Sequence, residues 1–300
     1  MPIEHTRLRG AKFLMVTCVM EALFPILAHY ASTIVQPVFY YGVCLAFAAG
    51  ILAIYQLLFG SLSFRLHFQE WLSIVGVSVF VVTATVFIFI GTRMTSVINT
   101  VVLIQAEIFF AFLWGRLFFR ESPVLLQLFG ALAVFTGTLM ILFNGTLSVN
   151  PGDALILLAV ALFPFGNACA KCALKTLPVS KVLFLRYLFG AAIILPLAFL
   201  LEDPAEARTQ IIDHLWLIGA YAILILFVSK MFWYAGLRWL PVSIATGIVA
   251  VAPALSLFFA FVIWGEVPNL FQLSGLICAM GGVFLLVMHS ELSLPIDDLV

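Results

Sequence analysis

The chain has 300 residues, 64% of them hydrophobic and 9% charged, where water-soluble domains carry about 45–50% and about 25%. Fourteen Lys and Arg balance fourteen Asp and Glu, so no basic stripe is available to neutralise phosphates, which argues against a nucleic-acid partner. Apolar stretches of about 20 residues, the length that crosses hydrocarbon as a helix, recur from Lys12 to His289.

In chain order, spans are expected near 11–30, 35–59, 71–91, 96–115, 124–144, 153–174, 181–201, 214–236, 243–265 and 269–289. The basic start and apolar run of the first stretch also describe a signal peptide, but Glu21 interrupts the run and the segment has an internal copy, so a first span is expected. The longest expected loop, Glu202 to Asp213, leaves no room for a nucleotide-binding or soluble catalytic domain. With the amino terminus inside, Arg7, Arg9, Lys12, Arg65, Arg116, Arg120, Lys171, Lys175, Lys181 and Arg238 fall on the cytoplasmic side. Only Arg93 and Arg208 fall outside, so both termini are expected in the cytoplasm.

An offset of 145 residues aligns Gly91 with Gly236, Arg93 with Arg238, Glu121 with Glu266, Pro123 with Pro268, Gln127 with Gln272, Gly130 with Gly275 and Gly137 with Gly282. At an offset of 139, Ala22-Leu23-Phe24-Pro25 recurs as Ala161-Leu162-Phe163-Pro164. The chain thus divides into two five-helix repeats, 11–144 and 153–289, joined by a turn from Asn144 to Gly152. Because five is odd, the second copy is expected upside down. The expected fold is an all-α integral membrane protein: ten transmembrane helices as two inverted-topology repeats around a central cavity. Such symmetry offers an inward-open and an outward-open state, hence alternating access, although channels also use inverted halves.

Pro25, Pro164 and Pro253 fall near the middle thirds of spans 1, 6 and 9, where proline removes a backbone hydrogen bond and frees the carbonyl four residues earlier. They are candidate hinges or cavity walls, the bland alternative being kinks that help helices pack. Glu21 and Glu107 lie near the centres of spans 1 and 4, opposite the apolar repeat partners Val160 and Ala252. A carboxylate at that depth costs about 2.5–3.5 kcal/mol unless paired, hydrated or protonated. Either glutamate is a candidate for proton coupling or substrate contact, or for bracing two helices. Helical phase puts Asn99 near Glu107 and Gln105 on the opposite side, and Asn167 follows Pro164 by three residues. Arg186, about two turns into span 7, is a candidate counter-charge for an acidic substrate group or for Glu21 or Glu107, whereas Lys230 sits at a depth that suits snorkelling to the interface.

Cys18, Cys44, Cys169, Cys172 and Cys278 form no disulfide framework, and the lone C-x-x-C of Cys169 and Cys172 is a weak signal. Asn144-Gly145-Thr146 fits a glycosylation sequon but reads first as a turn. Metalloprotease, P-loop and serine-hydrolase motifs are missing, and neither an enzyme, a cofactor nor a metal is expected. Aromatic rings near span ends suit the interface, and an aromatic cavity with an acidic group suits cationic or zwitterionic solutes.

Gly91-x-Arg93 and Gly236-x-Arg238, with Glu121-Ser122-Pro123 and Glu266-Val267-Pro268, give nearly the whole chain a layout that resembles the EamA-type proteins of the drug/metabolite transporter superfamily. Arg186 resembles the arginine common in the second span of a repeat, its first-half counterpart being Gly42, and Lys171 the basic residue often ending the first span. The resemblance implies exporters or exchangers of amino acids, metabolites and sometimes drugs, with a cavity formed by the first four spans of each repeat, and Glu121 and Glu266 as caps or gates. The expected protein is therefore a secondary carrier of a small amphipathic metabolite in a bacterial inner membrane, its partners being that solute, lipid and protons. A channel or a non-transporting scaffold is the alternative.

Overall fold

Residues 2–59, 66–119, 125–143, 150–239, 249 and 251–290 are described by the computed structural model, and all the regular structure among them is helical. The first half holds α1 (Pro2–Ile34), α2 (Pro37–Phe59), α3 (Phe68–Arg93), α4 (Val97–Ile104), α5 (Ala106–Phe119) and α6 (Leu125–Phe143). The second holds α7 (Pro151–Leu174), α8 (Val179–Leu201), α9 (Pro204–Asp213), α10 (Leu215–Ala220), a π-helical run Tyr221–Ser229, α11 (Lys230–Trp239), α12 (Ala252–Trp264) and α13 (Leu270–Ser290). Among the described residues, seven stretches are long and apolar enough to cross a membrane, and Leu128–Met140, Ala252–Trp264 and Leu270–Leu285 are shorter apolar helices.

The helix ends are fixed by local chemistry. Ser96, Asn150 and Asp203 accept backbone N–H groups of the turns that follow them, at 3.1, 2.9 and 2.9 Å. Pro37, Pro151 and Pro204 open α2, α7 and α9, where a missing N–H costs nothing. The carboxylate of Glu202 accepts from the Val38 and Phe39 amides at 2.9 and 2.7 Å, a negative charge placed on the positive end of α2. The expected loop from Glu202 to Asp213 is accordingly mostly a helix, α9, started by the Asp203-Pro204 cap. The turn from Asn144 and its sequon, like Glu121, lie outside the described residues, apart from Asn150 to Gly152.

Helices pair across the halves: α3 lies along α7, α2 along α8, α6 along α13, and α1 along the π-helical run, α11 and α12. Glycines set how closely these pairs approach, as small residues do in membranes. A Cβ at Gly91 would stand 2.7 Å from the Gly152 carbonyl, and one at Gly236 would strike Leu14, so the two repeat-matched glycines serve related contacts on α3–α7 and α11–α1. Gly137 meets the backbone of Gly275, and a Cβ at Gly282 would stand 2.5 Å from the Gly130 carbonyl, so all four matched glycines of α6 and α13 meet one another.

Two of the three expected proline breaks lie inside helices: Pro25 in α1 and Pro164 in α7. Pro253 differs. It sits in the first turn of α12 rather than in a helix interior. Pro196 is a further interior proline, in α8. At both Pro25 and Pro164 the turn before the ring has a carbonyl taken by the opposite half: Ser256 Oγ donates to Ala22 O at 2.8 Å, and Trp114 Nε1 donates to Ala161 O at 2.8 Å. Ala22 and Ala161 are equivalent at the offset of 139.

Adjacent glycines of α13 provide a test of the packing. Gly282→Ala drives a methyl into the backbone of α6 and should cost about 1–3 kcal/mol, whereas at Gly281 an added Cβ meets nothing within 4 Å. Thermal unfolding of the purified protein in detergent should show a lowered Tm for the first and no change for the second.

Candidate functional site

Glu21 sits on α1 in the turn that precedes Pro25, facing the junction between the π-helical run and α11. Its Oε1 accepts from Lys230 Nζ at 2.5 Å and from Ser229 Oγ at 2.6 Å, the Lys230 and Glu21 side chains being 24% and 19% exposed. Thr17, one turn earlier on α1, donates to the Ser229 carbonyl at 3.4 Å. A π-helical stretch widens the turn and shifts the helical phase, and such stretches concentrate at functional positions. Here the run ends in the serine and lysine that hold Glu21.

Glu107 lies in the first turn of α5, two residues beyond a break in span 4. At Gln105 the chain tightens, its N–H reaching Val102 O at 3.1 Å and its carbonyl taking the Ile108 N–H at 3.2 Å. The half-buried Glu107 accepts from Asn167 Nδ2 at 2.8 Å and has no ion pair among the described residues. Both Lys230 and Glu21 lie within electrostatic reach of it. One ammonium thus stands among two carboxyl groups, one more than it can neutralise when both are ionised. The pairs link four spans that hold proline breaks or altered turns: α1, α4–α5, α7 and the π-helical run with α11.

Glu21, Glu107 and Asn167 are brought into one neighbourhood, but Asn99 and Arg186 are engaged elsewhere. Asn99 donates to the Asp153 carboxylate at 3.3 Å and accepts from Gln272 Nε2 at 2.8 Å, and Thr95 donates to Asp153 at 2.6 Å. It therefore ties α4 to α7 and α13, and the expected shared face with Glu107 is not found, because Asn99, two turns nearer the start of the span, is taken up by Asp153 and Gln272. Lys230, rather than Arg186, is the counter-charge of Glu21. Snorkelling is overridden by a carboxylate within reach. Arg186 instead donates from Nη1 to the Tyr234 hydroxyl at 3.0 Å. Glu266 accepts from the Ile98 amide at 3.3 Å, at the start of α4.

An aromatic cluster packs at the start of the π-helical run. Tyr221 packs edge-on to Tyr40, Tyr41 and Phe89, with ring centroids 5.9, 6.5 and 5.4 Å away. Towards the ends of α1, α3 and α12, the His29 ring stands edge-on to Trp264 at 5.6 Å and bonds Thr92 O at 2.8 Å. A polar cavity of about 530 Å³ opens where α1, α3 and α8 end, lined by Gln36, Arg93, Glu202, Asp203, Glu206 and Gln210. It includes neither Glu21 nor Glu107. No cluster of three or more His, Cys, Asp or Glu is arranged for a metal among the described residues.

The model of the EamA-like transporter family matches residues 8–143 and again 150–288. The chain belongs to the EamA-like transporter family. Membership makes it a multi-pass membrane transporter of small solutes built from two EamA repeats, and members of the family are transporters rather than enzymes. No curated protein is similar enough in sequence to count as a relative. Among solved structures, one titled "Crystal structure of protein" is similar at 15% identity with a TM-score of 0.68, over 95% of this chain and 99% of that one. That likeness concerns the fold alone.

Removing one partner of the Glu21–Lys230 pair leaves the other charge uncompensated in a half-buried site, at a cost on the order of 3 kcal/mol. K230M should therefore lower Tm sharply, and adding E21Q should restore most of the loss. A double-mutant cycle with additive effects would mean that the pair does not couple.

Proposed function

We propose that this transporter is a secondary carrier that moves a small cationic or zwitterionic, amino-acid-like solute by alternating access, exporting it in exchange for protons. The observation that carries this reading is the single ammonium of Lys230 among the carboxylates of Glu21 and Glu107. A second positive charge completes the group. A proton on Glu107 and the ammonium head of a solute both supply it, and they exclude each other, which is the requirement for exchange. Asn167 orients Glu107 with an amide donor that suits the carboxylate and, through its oxygen, an incoming ammonium.

The architecture in this reading is ten spans in two inverted repeats, with both termini in the cytoplasm of a bacterial inner membrane. Repeat-matched glycines and prolines support the inversion, as does the pairing of each repeat's third helix with the first helix of the other. The charge asymmetry of the sequence supports the orientation. Pro25 and Pro164 act as hinges, each with its opened turn held by the opposite half, and Pro253 stands in the first turn of α12, which packs on α1. Asn99 holds the ends of spans 4, 6 and 10 together as they move.

Reconstituted in proteoliposomes and offered a mixed pool of amino acids and amines, the wild type should show saturable counterflow and accumulation driven by a pH gradient. E107Q, which has no charge for a proton or an ammonium to neutralise, should lose gradient-driven accumulation and exchange together, each at least tenfold. Linear flux without exchange would identify a channel instead, and gradient-driven uptake at the wild-type level in E107Q would remove the coupling role.

A further inference from the structure

Arg186 is 4% exposed, in the interior of α8. Its Nη1 donates to Tyr234, its guanidinium carbon stands 5.4 Å from the centroid of the Tyr187 ring, and the Tyr41 hydroxyl lies beside it. Its Nε is buried and has no acceptor. No carboxylate answers the charge among the described residues: Glu21 is held by Lys230 and Ser229, and Glu107 by Asn167. An arginine stays charged at every accessible pH, and neutral phenols replace only part of the hydration it gives up. The free edge at Nε matches the side-on, two-pronged contact that a guanidinium makes with a carboxylate.

The position of this edge is equally informative. Tyr234 follows Lys230 by four residues on α11, which puts the two side chains on one face, one turn apart. Tyr187, next to Arg186, donates to the Leu226 carbonyl of the π-helical run at 2.6 Å and lies within electrostatic reach of Glu21. An orphaned guanidinium and a carboxylate group short of one positive charge thus flank the same stretch of helix.

We propose that Arg186, braced by the hydroxyls of Tyr234 and Tyr41, is a carboxylate-binding subsite that takes the acidic end of the transported solute. This rests on the carrier reading above and narrows it from cations and zwitterions to zwitterions. A free monovalent anion such as chloride offers the same complementary charge, so the experiment separates the two sources.

Full-length protein is purified in detergent, and its Tm is followed with four probes: a pool of amino acids, the matching amines that lack the carboxylate, short carboxylates such as acetate and propionate, and chloride alone. Counterflow of the amino-acid and amine pools is measured in parallel. The wild type should be stabilised by the amino-acid pool and not by the amines. R186Q and R186K should both lose that stabilisation, because a lysine cannot make the two-pronged contact. Y234F, which removes one hydroxyl and no charge, should fold and raise the KM for amino-acid counterflow at least tenfold with the maximal rate unchanged, which keeps the test valid should the Arg186 variants fail to fold. Amines that bind and exchange as well as amino acids, amino-acid stabilisation retained in R186Q, or chloride alone giving the whole stabilisation would each overturn the subsite. Counterflow of amines without a carboxylate preference would do so while leaving the carrier reading intact, whereas no counterflow of any pool would remove the carrier reading itself.

Discussion

Backbone polar groups inside hydrocarbon have no water to turn to, and the turns beside both first-span prolines are held by side chains from the opposite half. Pro25 and Pro164 free the carbonyls of Glu21 and Val160, and in each case the next carbonyl of the same turn takes a side chain from the opposite half: Ser256 for Ala22 and Trp114 for Ala161. The donors differ in chemistry and in exact register, but they come from spans 9 and 4, which the repeat makes equivalent. Each kinked first span is thereby held by the fourth span of the other repeat. The same turns deliver the polar chemistry: Glu21 precedes Pro25 by four residues, and Asn167 follows Pro164 by three.

Around these breaks the two halves share a frame and differ in function. Gly91, Gly137, Gly236 and Gly282 serve the frame, because each lets one helix approach another to backbone distance or against a side chain that a methyl would displace, the carbonyls of Gly130 and Gly275 being among the atoms approached. Charge is distributed unevenly over that frame. Glu21 and Glu107 come from the first half and Lys230 and Arg186 from the second, so attraction between the repeats runs through the centre of the molecule. Only one of the two possible ion pairs is made. Arg186 meets no carboxylate among the described residues, and in the proposed reading the solute supplies one.

Much of the helical frame is legible in the sequence because its determinants are scarce residues with strict demands. Proline breaks and matched glycines stand out against a background of Leu, Phe and Ala, and intramembrane glutamates stand out by cost. What escaped sequence reasoning depends on tertiary reach or on local winding. Lys230 sits at a depth that snorkelling explains equally well, and only the fold brings Glu21 to it. Asn99 and Glu107 lie within about 80° of each other on an ideal helix, but Asn99 is drawn to Asp153 and Gln272, which only the fold brings beside it. The π-helical run, which sets Ser229 and Lys230 towards Glu21, has no sequence signature in Tyr-Ala-Ile-Leu-Ile-Leu-Phe-Val-Ser. Helix α9 was expected as a loop although its signal was present: Asp203-Pro204 is a cap followed by a first-turn proline.

The central claim is that one unfilled positive charge at Glu107 is supplied alternately by a proton and by the solute. Proton release on solute binding tests it most directly: the purified protein in weak buffer is mixed with the amino-acid pool while pH is recorded. The account predicts proton release that saturates with solute in the wild type and vanishes in E107Q. Solute binding to the wild type without proton release, or the same release from E107Q, would contradict it.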